Sequence, residues 1–167
     1  IRILPVVERW DCHGCAHCCR GTTIPLSASD LQTLEGQRWQ DHPDLRNVRT
    51  VVRARLLGAR HVLAKRPDGS CVFLTDAGRC RIHELHGAAA KPAVCRIFPL
   101  QVVPMGTFAW ITLRRSCPSA AAERGRPVAE HLAALHKSGL VDRLAPPLPQ
   151  GKQTPPRVVR GVQRSWP

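Results

Sequence analysis

A chain of 167 residues has the length of one domain and can bury a core. Its apolar fraction of 43% draws heavily on alanine and cysteine, and aromatics make up only 4%, so large core side chains are few and bound metal could supply part of the folding stability. A net charge of +13, mostly arginine, points first to nucleic acid, while the absence of any bilayer-length apolar run excludes a membrane-spanning helix and predicts a soluble protein.

Residues 1–7 read as an edge strand, where Pro5 is tolerated. They lead into Cys12-His13-Gly14-Cys15-Ala16-His17-Cys18-Cys19, a C-x2-C-x2-C-C cluster. Each C-x-x-C pair sets two sulfurs on one tight turn, which suits tetrahedral sulfur coordination of zinc or of an iron in an iron-sulfur cluster. Cys18 and Cys19 are adjacent, and adjacent side chains diverge. The loop should therefore feed two sites, or one site with a spare thiol.

Residues 20–26 form an extended connector. Ser27 and Ser29 offer N-caps, and Gln32 lies three residues after Ser29 as in a capping box, predicting a helix over 28–35. Pro43 followed by Leu45, Val48, Val52 and Leu56, with Gly58 beyond, predicts a second helix over 44–57, although the β-branched valines leave a strand open. Residues 61–65 and 71–74 flank the turn signal Pro67-Asp68-Gly69 and read as a hairpin with Cys71 opening its second strand.

The turn Asp76-Ala77-Gly78 delivers Cys80. Residues 81–86 make one or two helical turns ended by Gly87, and Pro92 opens another that carries Cys95. Residues 100–103 and 108–113 around Pro104-Met105-Gly106 read as a second hairpin ending near Cys117-Pro118, and 127–137 as an amphipathic helix. The expected fold class is α+β: a small single domain of short helices and two β-hairpins, organised around cysteine-ligated metal centres. It spans residues 1–145, with a proline-rich disordered tail over 146–167.

Cys71, Cys80, Cys95 and Cys117 read as return ligands, since closing a loop over such tethers costs entropy that grows only slowly with length. Eight sulfurs then serve two four-coordinate centres. Disulfides rank second: no signal-peptide pattern is visible, and an adjacent Cys18-Cys19 bridge would be strained. Inert thiols rank third. Two such centres would lower the net charge from +13 to about +9. The basic residues are scattered, and no aromatic-interleaved basic groove is visible.

With these motifs in place, the chain resembles the YkgJ-type cysteine-cluster family of zinc- or iron-chelating domains, related to flagellin lysine N-methylase. The resemblance rests on the C-x2-C-x2-C-C run, Cys71-Val72-Phe73-Leu74, Cys80-Arg81-Ile82-His83, Lys91-Pro92-Ala93-Val94-Cys95-Arg96-Ile97-Phe98-Pro99 and Cys117-Pro118. It implies bound metal, foremost iron-sulfur, with Cys12, Cys15, Cys18, Cys19, Cys71, Cys80, Cys95 and Cys117 as ligands. Many members carry glycine where this chain has Ala16, which makes a positive φ there harder to reach.

Spacing alone separates zinc from iron weakly. Cys12-Cys15-Cys18 with a remote Cys117-Pro118 matches the ferredoxin pattern and favours [4Fe-4S]. His13, His17, His83 and His86 lie near cysteines and would suit zinc, but each reads as a neighbour rather than a ligand, with His83 the first to reconsider. Arg20 and Arg96 follow cluster cysteines directly and are either solvated charges or donors that neutralise anionic sulfur. Phe98 and Pro99 read as shielding.

The sequence therefore predicts a cytoplasmic metal-binding protein with a redox, electron-transfer or structural role and an unidentified protein or small-molecule redox partner. An Fe-S oxidoreductase or methylase-like enzyme is the first alternative; neither G-x-S-x-G, G-x-G-x-x-G, a P-loop nor radical C-x3-C-x2-C spacing is present. A zinc-bearing nucleic-acid module is the second.

Overall fold

The computed structural model describes residues 2–3, 6–54, 61–105, 108–137, 139, 157–159 and 162–163. Short helices and small strand pairs alternate in an α+β arrangement. Strands β1 (Arg2–Ile3) and β2 (Arg9–Trp10) precede helix α1 (His17–Gly21), which carries the end of the cysteine cluster. As predicted, β1 sits at a sheet edge; Pro5 lies outside the described residues.

Helix α2 (Ala28–Gly36) forms where expected, on one of the two caps the sequence offers but with a different capping box. Ser27, not Ser29, is the N-cap, and Asp30 completes the box: the Asp30 amide donates to Ser27 Oγ while the Ser27 amide donates to the Asp30 carboxylate. The acidic side chain does the work of the usual Glu or Gln.

The predicted helix over 44–57 is not formed in its described part. Residues 43–47 turn, and β3 (Val51–Arg53) pairs antiparallel with β4 (His61–Leu63), so the β-branched valines win over the 3.6-residue spacing. Residues 55–57 of that prediction lie outside the described residues. The first hairpin is also corrected. Its turn is present, with Gly69 at φ 79° and Asp68 accepting from Ser70, but its ladder reduces to one bridge between Lys65 and Cys71. The Cys71 amide is taken by the Cys19 carbonyl at 2.7 Å, which diverts the chain from a second strand.

Helices α3 (Arg81–His86) and α4 (Ala93–Ile97) follow, and Gly87 closes α3 at φ 81°. The second hairpin is as predicted: β5 (Leu100–Met105) pairs with β6 (Phe108–Leu113) from Leu100–Leu113 to Met105–Phe108. Alternate β6 residues Ala109, Ile111 and Leu113 are buried, a period-2 face. Helix α5 (Pro118–Ala121) opens on proline, and β7 (Arg126–Pro127) pairs with β2 before helix α6 (Val128–Lys137). Beyond it, β8 (Arg157–Val159) pairs with β9 (Val162–Gln163); the rest of the predicted tail over 146–167 lies outside the described residues.

Buried residues form two cores. One gathers Ile24, Leu34, Trp39, Leu63, Phe73 and Ile82, with Cys19, Cys80 and Cys95 packed against it. The other gathers Ile97, Leu100, Ile111, Leu113, Cys117 and Val128, with Trp10 and Phe98 against it. No helix among the described residues is long and apolar enough to cross a membrane.

Candidate metal centre

All eight cysteines are free thiols, so the disulfide alternative is not realised. They line two adjoining cavities. The inner cavity, about 40 Å³, is lined by Cys18, Cys19, Cys71, Cys80 and Cys95. The outer, about 380 Å³, is lined by Cys12, Cys15, Cys18, Cys95 and Cys117. Only Cys18 and Cys95 among the thiols border both.

Specific contacts bring the inner thiols together. The Cys19 carbonyl accepts from the Cys71 amide at 2.7 Å and from Lys65 Nζ at 3.4 Å. A bridge between Leu74 and Cys80, and an Arg81 amide donated to the Phe73 carbonyl, return Cys80 beside Cys71. Helix α4, bearing Cys95, is tied to α2 where the Ala93 amide donates to the buried Asp30 carboxylate at 2.9 Å.

Different contacts hold the outer thiols. Pairing of β2 with β7 fixes the chain just before Cys12, and Asp11 grips Arg126 through backbone and side-chain bonds that hold its carboxyl pKa down to about 2. Gly125 is packed so tightly here that a Cβ would stand 2.4 Å from the Asp11 nitrogen. His13 Nδ1 and Ser119 Oγ are hydrogen-bonded at 3.0 Å, drawing the cluster loop to the start of α5 beside Cys117. Ala16 takes the left-handed conformation at φ 58°, the geometry in which glycine is favoured.

Cys18 and Cys19 Sγ stand 4.0 Å apart. The hydrogen bond between them, with burial added, raises the Cys18 pKa, and the same bond lowers that of Cys19. Burial pushes Cys95 up to about 12 and raises Cys71. Neutral thiols are the stable form where no cation compensates, and a bound metal supplies that compensation while displacing the protons. Among the described residues, no three His, Cys, Asp or Glu side chains are arranged to hold a metal ion as they stand.

The donor set nevertheless fits an anionic thiolate-metal group. Among the described residues Trp10 Nε1 and Arg96 Nε are buried without hydrogen-bond partners, and both residues line the outer cavity. Lys91, His13, His17 and His83 line it too, and among the described residues no carboxylate does. Buried donors require acceptors, and metal-bound sulfur is one. His86 instead packs edge-on against Trp39, away from both cavities, and Arg20 is exposed and lines neither. Phe98 borders both cavities and Pro99 is fully buried, as shielding predicts.

Trp10 and Lys91 escaped the sequence reading as site residues. Trp10 carries no motif, and Lys91 opens the Lys91-to-Pro99 stretch that carries the family resemblance without a role of its own being read there.

A family model described as CxxCxxCC, a putative zinc- or iron-chelating domain, matches residues 11–118. The chain belongs to this family. The matched region runs from Asp11 through every cysteine to Pro118, so both cavities' thiols fall inside the CxxCxxCC domain. No curated protein and no solved structure gives a significant match.

Proposed function

We propose that this CxxCxxCC protein binds metal through all eight cysteines in two groups of four and carries iron-sulfur, of the [4Fe-4S] type. Cys19, Cys71, Cys80 and Cys95 form the inner group; Cys12, Cys15, Cys18 and Cys117 form the outer. The observation carrying the reading is the convergence of all eight thiols on two adjoining cavities. Cys95 goes inward because it packs against the first core together with Cys19 and Cys80, and Cys18 goes outward because it completes the run of Cys12 and Cys15. Four thiolates satisfy one centre.

The role is redox, electron transfer or structural support in the cytoplasm, with a protein or small-molecule redox partner. Unpartnered donors at Trp10 and Arg96 support iron-sulfur over zinc, since N–H bonds to cluster sulfur stabilise its negative charge and raise its potential. An absorption spectrum of protein purified without oxygen tests this. Broad visible absorption that bleaches on reduction is expected; a colourless, zinc-loaded protein would overturn the iron-sulfur assignment.

A further inference from the structure

We infer that the two centres are unlike: the inner group holds a single metal ion, and only the outer group has room for a polynuclear cluster. The inference rests on the reading that the eight cysteines ligate metal in those two groups. Size decides it. The inner cavity is about 40 Å³, against about 10–15 Å³ for one water. That is space for a few atoms, not for the four irons and four sulfides of a [4Fe-4S] core. Enlarging it would push on Phe73 and Ile82, both 1% exposed and part of the first core, and close-packed interiors resist such strain. Four thiolates around one ion suit such a closed site, as in structural zinc centres.

The outer cavity is about 380 Å³. Cys12 and Cys15 are exposed there, whereas no inner thiol is. Lys91 borders both cavities, but only the outer wall adds Arg96 and the unpartnered Trp10 among the described residues, a surround suited to a group of greater size and negative charge. Accessibility also separates the two in time. Solvent and chelator reach Cys12 and Cys15 directly, while the inner thiols are half-buried or buried, so the inner ion should leave more slowly.

Iron, zinc and acid-labile sulfide per chain, measured on the anaerobic full chain and on a Cys12→Ser/Cys15→Ser variant, test the inference, with chelator-release kinetics on the unmodified protein as a second readout. The unmodified protein should carry about four sulfides and one metal ion beyond the cluster iron. The variant should lose all sulfide, keep one metal ion and retain its far-ultraviolet circular dichroism. About eight sulfides per chain, a variant that keeps half the sulfide, or one that keeps its fold but no metal overturns the inference. Should the variant fail to fold, two release phases at least about tenfold apart in the unmodified protein support it, and a single phase overturns it. Zinc with no sulfide in the unmodified protein defeats the iron-sulfur reading instead; the difference between the centres is then decided by the same two-phase criterion.

Discussion

The inner and outer cavities share Cys18 and Cys95 yet are held by different physics. The inner one is an extension of a hydrophobic core: Ile24, Leu63, Phe73 and Ile82 line it and belong to that core. The outer one, bordered by Trp10, Phe98 and Cys117 of the second core, depends in addition on directional polar contacts, the Asp11–Arg126 grip, the His13–Ser119 hydrogen bond and the β2–β7 pair. The shared cysteines thus face a more enclosed setting on one side and a more exposed one on the other. Substitutions under the inner cavity should cost the most stability, and those around the outer should act through alignment of the cluster loop.

The largest effect should come from Phe73→Ala, a nearly fully buried side chain on the inner wall. A loss of about 3–5 kcal/mol is expected in urea unfolding, together with release of inner metal. A loss below that of exposed-site substitutions would break the contrast. Gly125→Ala comes next, because its Cβ would meet the Asp11 nitrogen at 2.4 Å and the Trp10 carbonyl carbon at 2.5 Å, and both are backbone. About 1–3 kcal/mol is expected, and metal analysis should show the outer centre depleted before the inner.

Asp30→Ala strips the α2 cap and leaves the buried Ala93 amide without its acceptor. Thermal unfolding should register about 1–3 kcal/mol, with weaker metal retention through Cys95 on the helix that Asp30 anchors. In the opposite direction, Ala16→Gly relieves a left-handed alanine at φ 58° and should stabilise by about 1 kcal/mol, read as a rise in the unfolding midpoint. Smallest is Asp11→Asn. Its pair with Arg126 is partly solvated, so about 0.2–1 kcal/mol is expected, shrinking at high salt.

Much of the site was legible in the sequence because cysteine chemistry is local in kind. C-x2-C-x2-C-C announced metal, whereas Cys18 and Cys19, expected to diverge, both line the inner cavity with their sulfurs 4.0 Å apart. Which of the later cysteines lines which cavity was not legible, since it is set by long-range contacts such as Ala93 to Asp30 and His13 to Ser119. The β5–β6 hairpin and α6 followed their periodicities. The helix predicted over 44–57 failed because Val51 and Val52 found β4 as a partner, a tertiary choice that spacing alone does not reveal. Likewise, the first hairpin lost its ladder to a single amide, Cys71 to Cys19, whose partner lies far back in the chain. Ala16 is the converse case. The family resemblance flagged it as a departure from glycine, and the positive φ supplies the physical reason.

The central claim, that eight thiols hold metal in two groups, is tested most directly by native mass spectrometry of the anaerobically purified chain. The account predicts mass increments above the 18.4 kDa polypeptide for two separable loads, one lost readily and one retained until the chain unfolds. A mass equal to that of the bare polypeptide, with eight titratable thiols in the folded state, would contradict it.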